Sequence, residues 1–283
     1  MLTRNVLFNK TYNYKLGLFL LCCIISLNSS FAQGDLLIFP KRIVFDGSKK
    51  VEKIILSNVG KESAVYNVSF AEYRMNKFGE FQAINEPDVG QNFASPFLRV
   101  FPRKVVLAPN ESQTVKVQFR RTSDMLDGEY RSHLYFRADK NNKPLGQENK
   151  VIDSTAITVK LEAVFGISIA TIIKKGSSTT VSTIADLNYT KDMDSNHILS
   201  FSINRKGNMS TYGDIAVNYV SNDNISYEVA KIRGIAVYTP GTIRKVKMLL
   251  KKPNNINFFG GVFKVVYTKN ESTEVITEAV LNL

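Results

Sequence analysis

The chain has 283 residues, 44% hydrophobic and 22% charged, and its 37 Lys and Arg against 25 Asp and Glu give a formal net charge of +12. Intrinsic disorder needs low hydrophobicity together with high net charge, so this composition excludes it, and the length suits two domains of about 150 residues each. Two cysteines and two histidines leave little material for thiolate or imidazole metal sites.

The first segment stands apart. Arg4, Lys10 and Lys15 precede the apolar run LGLFLLCCIISL, and a small-residue exit, SSFA, follows before Gln33. This is the pattern of a secretory signal peptide over 1–32. Its apolar core of about a dozen residues is short of the ~20 that a spanning helix needs. Cys22 and Cys23 lie inside that core and not at its end, which argues against lipid modification, so cleavage removes both thiols. Three positive charges leave with them, taking the net charge from +12 to +9. The mature chain is expected to be soluble, without a transmembrane segment and without disulfides, and to draw its stability from buried cores. Its charge suits acidic partners or envelope surfaces, or simply a solvated surface, since the basic residues are scattered.

From Asp35 onward short alternating runs follow one another: LLIFPKRIVFD, VEKIILSN, SAVYNVSFAEYR, KVVLAP, QTVKVQFRR, GEYRSHLYFRA and ITVKLEAVFGISIATII. Turn residues in DGSK, NVGKE, APNES and LDGE separate them, and no 3.6-residue period is sustained. After IIKKGSSTT a second set begins, TVSTIADLNY, ILSFSINRKGN, GDIAVNYVS, IRGIAVYTP, IRKVKMLL, GVFKVVYTK and EVITEAVLNL. The pattern predicts an all-β protein of two immunoglobulin-like sandwiches, 33–173 and 174–283. The polar stretch DKNNKPLGQENKVIDS, 139–154, is expected to be a hairpin loop that orders only on binding.

The inventory of reactive groups is short. His133 and His197 fall in different domains, and no HExxH, GxSxG or P-loop spacing occurs. His133 alternates with its neighbours along a strand and is expected to be a half-exposed strand histidine. Asp124, Asp127 and Glu129 cluster in SDMLDGEY without the oxygen spacing of a calcium loop. No catalytic residue, metal site or cofactor is expected, and the chain is read as not an enzyme. Nucleic acid is not expected as a partner, because no basic stripe is interleaved with aromatics.

The stretch PKRIVFDGSKKVEKIILSNVGKESAVYNVSF, 40–70, resembles the periplasmic pilus (fimbrial) assembly chaperones. The residues that carry the likeness are Arg42, Ile43, Val44, Phe45, Asp46 and Gly47, then Ser57, Asn58 and Tyr66. It continues through SPFLRVFPRKVVLAPNESQTVKVQFRR and LDGEYRSHLYFRA, covering nearly all of the first domain and, more loosely, the two-domain layout. The resemblance implies two immunoglobulin-like domains at an angle with a cleft between them. It implies a periplasmic, ATP-independent chaperone that binds incomplete pilus subunits by donating an edge strand, with an outer-membrane assembly pore as a further partner. The alternative is a secreted structural immunoglobulin-like protein, a fibre subunit or adhesin.

Strand donation needs a strand that fills apolar pockets on one face while its backbone completes a ladder. Ile157, Val159, Leu161 and Ala163, with Thr158, Lys160 and Glu162 between them, are the expected donor residues. The resemblance assigns Arg42 as anchor of the subunit's terminal carboxylate, a group that a planar guanidinium meets with two parallel hydrogen bonds. The family's second anchor, a lysine late in the donor strand, has no counterpart: its place falls near Phe165 or Gly166, Lys160 is at the wrong offset, and Lys174 and Lys175 come too late. Residues Ile167–Ile173 are read as a buried passage packed against both domains, with Ala170 where relatives carry proline.

Overall fold

The computed structural model describes residues 36–120, 122, 125–139, 166–253 and 256–283. The signal segment, the four expected donor residues and most of the 139–154 loop lie outside the described residues. Among them there are eighteen strands, one short 3-10 helix and no helix long and apolar enough to cross a membrane.

Period-two alternation sets the first lobe. In β3 (Val51–Asn58) the side chains of Ile54, Leu56 and Asn58 turn inward while Val51, Lys53 and Ile55 face out. It lies between β1 (Leu36–Phe39) and β9 (Ser112–Phe119), and β7 (Leu98–Phe101) completes a four-stranded sheet in the order β1-β3-β9-β7. Pro40 and Lys41 carry the chain from β1 into β2 (Arg42–Phe45), which belongs to the facing sheet. That sheet adds β4 (Ala64–Ala71), β8 (Lys104–Leu107), β10 (Gly128–Ala138) and β11 (Gly166–Lys175) in the order β2-β11-β10-β4-β8. Between the sheets Ile43, Phe45, Ile54, Leu56, Val105, Val117, Leu134 and Phe136 form one core.

The family-like motif has structural duties here. Phe45 is 1% exposed in the core, and Asp46 closes the turn after β2 by accepting the Ser48 amide at 3.0 Å. The buried Asn58 amide nitrogen donates to the carbonyls of Glu62, Leu107 and Ala108, and its oxygen accepts Gly60 N–H. One buried side chain thus satisfies backbone groups of two turns.

The second lobe repeats the layering. β12 (Val181–Lys191), β13 (His197–Lys206) and β16 (Ile243–Leu249) form one sheet. β15 (Ser226–Val237), β14 (Thr211–Val220), β17 (Val262–Lys269) and β18 (Val275–Asn282) form the other, in that spatial order. Leu199, Phe201, Ile215, Val217, Phe263 and Tyr267 fill the space between them. The expected domain boundary after residue 173 falls inside β11, which runs on to Lys175 and ends at Gly176, held at φ +73°. A small hairpin of β5 (Tyr73–Met75) and β6 (Phe81–Ala83) leaves the first lobe and touches the second, where Lys245 N–H donates to the Lys77 carbonyl at 2.7 Å.

Candidate functional site

Of the segment expected to be a buried passage between domains, Ile169–Ile173 is a strand with two buried faces, whereas Ile167 and Ser168 are exposed, because β2 covers the strand only from Ala170 onward. β11 runs antiparallel to β10 from Gly166 to Lys175, while β2 lies parallel along its other side only from Ala170 to Ile173. Its odd residues Ile169 and Ile173 enter the first-lobe core. Its even residues Ala170 and Ile172 join Ala236 and Tyr238 of the second lobe in a third apolar cluster, with Val44, Met75 and Tyr212 against it. Packing against both lobes therefore follows from strand alternation, and a proline at Ala170, lacking an N–H, would interrupt this ladder.

The same register leaves an open edge. Along Gly166–Ile169, β11 has β10 on one side and no strand on the other among the described residues. Ile167 is 37% exposed and Ile169 is buried. Any Cβ at Gly166 would meet the Tyr135 ring at 2.3–2.6 Å, so glycine there lets that ring lie over the start of the strand. In sequence, the odd-numbered apolar series Ile157, Val159, Leu161 and Ala163 continues in step through Phe165, Ile167 and Ile169.

At the point where β2 begins to cover β11, Arg42, Ala170 and His133 stand side by side, and the next row on that face holds Val44, Ile172 and Arg131. Arg42 is half-buried. Its Nη1 donates to the Tyr238 hydroxyl at 3.0 Å, and its guanidinium carbon lies 3.9 Å from the Tyr212 ring centroid and 5.4 Å from that of Tyr238. Arg131, 2% exposed, puts its guanidinium 4.6 Å from the same Tyr238 ring and donates Nη2–H to the Tyr73 carbonyl at 3.1 Å. Its Nε and Nη1 have no hydrogen-bond partner among the described residues. Neither arginine makes an ion pair among them.

Burial lowers the Arg131 pKa from its ordinary value, Arg42 adds to this, and Tyr238, Glu129 and Glu72 oppose it. Those two carboxylates are engaged elsewhere: Glu72 accepts the Ser132 hydroxyl at 2.7 Å, and Glu129, 2% exposed, accepts Ser210 N–H at 2.9 Å and also the Ser210 hydroxyl. His133 is pushed down to about 3 by burial and then by Arg131 and Arg42, so it is neutral at pH 7. It is buried and not half-exposed as expected, because its ring is covered by Tyr73 and Phe81, which stand edge-on to it with centroids 5.0 and 5.2 Å away. Half-buried Lys174 is lowered by burial as well. The result is a cation-rich, largely dry seam between the lobes, suited to receive an anion.

Of the expected site residues, Arg42 lies at this seam, beside β11. Arg131, Tyr212 and Tyr238 escaped the sequence reading. No signal in GEYRSHLYFRA marks Arg131, because Glu129, Arg131 and His133 at alternate positions of a strand whose other face is mostly apolar are the ordinary pattern of a sheet with one wet face.

No family model and no curated protein matches the sequence. Among solved structures the chain is similar to the class 5 fimbriae chaperone CfaA, at 17% identity over 87% of this chain and 98% of that one, TM-score 0.42. It is also similar to the YadV chaperone, at 11% identity over 88% and 100%, TM-score 0.43. A third is the Salmonella enterica SafA pilin in complex with the SafB chaperone, at 11% identity over 91% and 100%, TM-score 0.42.

Proposed function

We propose that the chain is a divergent periplasmic pilus-assembly chaperone, secreted by its signal peptide, that stabilises incomplete immunoglobulin-like subunits by lending them the edge of β11. The observation that carries this reading is the open Gly166–Ile169 edge lying next to two arginines that make no ion pair among the described residues. A subunit lacking one strand exposes unpaired backbone groups and a row of apolar pockets; an edge strand with apolar side chains at alternate positions answers both. Ile157, Val159, Leu161 and Ala163, in step with Ile167, extend the donor upstream of the described edge. Arg42 receives the terminal carboxylate of the subunit, and Arg131 supplies the positive charge that relatives take from a lysine. Release needs no nucleotide, because a competing strand of higher affinity can replace the lent one, and an outer-membrane pore is the partner to which the loaded chaperone would pass its cargo.

Co-expression of the full chain with the secreted proteins of neighbouring genes, followed by affinity purification, tests the reading. Capture of a subunit that Leu161→Glu or Arg42→Ala abolishes supports it. Capture of nothing, or equal yield with both variants, refutes it.

A further inference from the structure

The outward face of the β1-β3-β9-β7 sheet carries large apolar side chains and cations but no carboxylate at any outward strand position. Its register builds two adjacent rows. Phe39, Ile55 and Thr114 stand opposite one another across β1, β3 and β9. Lys53, Lys116 and Phe101 do so across β3, β9 and β7, with Arg99 on the same face of β7. Phe39 and Phe101 are 70% and 74% exposed, and Ile55 is 45% exposed. Isolated apolar residues on a surface need no explanation; a set on one sheet face does.

Lys53 and Lys116 are direct cross-strand partners, an arrangement that destabilises a sheet through like-charge repulsion. Neither has an ion-pair partner among the described residues. The face is thus built to gain from an anion placed over its middle. The distribution says which kind. Protein interfaces keep charge out of their centre and put aromatic residues there. Here the lysines occupy the two central strands and the phenylalanines the two outer ones. That order fits a sheet of anionic headgroups, with lysines meeting phosphate and the flanking rings entering the acyl boundary. A second copy of the chain is a poor occupant, because it would set one lysine pair against another.

We propose that this sheet face rests on anionic phospholipid membranes, on the lobe that also carries β11. The test is co-sedimentation of the full mature chain with vesicles of phosphatidylcholine alone or mixed with phosphatidylglycerol. Binding is expected only to the mixed vesicles, weakening as salt rises. Lys53→Gln with Lys116→Gln is expected to weaken it roughly 30-fold, at the usual gain per surface cation. Phe39→Ser with Phe101→Ser is expected to weaken it by at least tenfold, and Lys206→Gln with Lys247→Gln on the other lobe to leave it unchanged. Removing one of two repelling lysines also predicts that Lys116→Gln alone raises the thermal midpoint. The proposal is overturned if the mixed vesicles do not bind the chain. It is overturned equally if the phenylalanine pair is dispensable, which would leave charge alone, if the chain dimerises through this face, or if Lys116→Gln lowers the midpoint.

Discussion

Arg42 on β2 and Tyr238 just after β15 are joined by a 3.0 Å hydrogen bond, although 196 residues separate them, and the ring of Tyr238 also carries Arg131 at 4.6 Å. One phenol therefore orients two guanidiniums from different strands. Tyr238→Phe keeps the ring and removes the hydroxyl, and is expected to cost about 1 kcal/mol of stability. Because it frees the Arg42 donor, partner binding should stay level or tighten. Arg42→Ala should cost no more than ~1–2 kcal/mol in urea unfolding yet reduce co-purified partner at least tenfold. Arg42→Lys, with its charge kept and its planar fork lost, should fall between. Equal partner yield from all three would remove Arg42 from the site.

Ile167 offers a cleaner separation of folding from binding. It lies on the open stretch of β11 and is 37% exposed, so Ile167→Glu gives up only part of a fully buried isoleucine's contribution. A stability loss of about 1–2 kcal/mol is expected from that partial burial. A glutamate aimed into an apolar pocket of a subunit would instead be a buried unpaired charge, so complex formation should be lost. If the variant unfolds the chain, Ile167 serves its own core; if it folds and still binds, the lent edge lies elsewhere.

The sequence made the strands legible because each sheet has one buried and one wet face, and alternation reports that directly. VEKIILSN and QTVKVQFRR follow the expected pattern, as does the all-β, two-sandwich layering. The residues around Arg42 singled it out, and it lies at the seam, half-buried against Tyr212 and Tyr238. The packing of Ile169–Ile173 against both lobes was legible as apolar content on both faces, but the buried stretch starts two residues later than expected, and its identity as the strand between β2 and β10 was hidden, since an unbroken apolar run gives no register. Tyr212, Tyr238 and Arg131 were hidden for another reason. Their roles arise from contacts over long sequence separations, and a tyrosine in a strand looks the same whether it faces a core or a guanidinium. Burial of Glu129 likewise could not be read from SDMLDGEY, where three acids suggest a solvated turn.

His133 should make stability depend on pH. Its folded pKa, about 3, lies below its ordinary 6.5, so between these values the unfolded chain binds a proton that the native chain refuses. Native stability therefore rises with pH through this window, is fully present above about 6.5, and is lost progressively as pH falls toward 3. Glu72 works in the opposite sense, since burial raises its pKa and its folded form holds a proton that the unfolded form has released. His133→Phe, which keeps a ring between Tyr73 and Phe81, should remove the histidine's share of the slope. Urea midpoints from pH 4 to pH 7 measure it, and an unchanged slope would show that His133 is accessible to solvent and protons in the native state.

Glu129 and Ser210 tie the lobes together at a buried point. The carboxylate accepts both the backbone N–H and the hydroxyl of Ser210, and the Ser210 oxygen in turn accepts Thr239 N–H at 3.1 Å. Glu129 is 2% and Ser210 7% exposed, so water does not replace a lost partner. Ser210→Ala leaves a carboxylate short of one donor and a buried amide without its acceptor, for an expected cost of about 2–3 kcal/mol. Glu129→Ala removes the charge along with its partners and should cost a similar amount, while the double variant should cost distinctly less than the sum, with a coupling above ~1 kcal/mol. Because the contact joins strands of both lobes, Ser210→Ala should also speed hydrogen exchange in β10 and β14 together. Additive costs, or faster exchange confined to the second lobe, would show that the two lobes are held by their other contacts, those of Arg42, Arg131 and β11 with Tyr212, Ala236 and Tyr238 and the Lys245–Lys77 hydrogen bond.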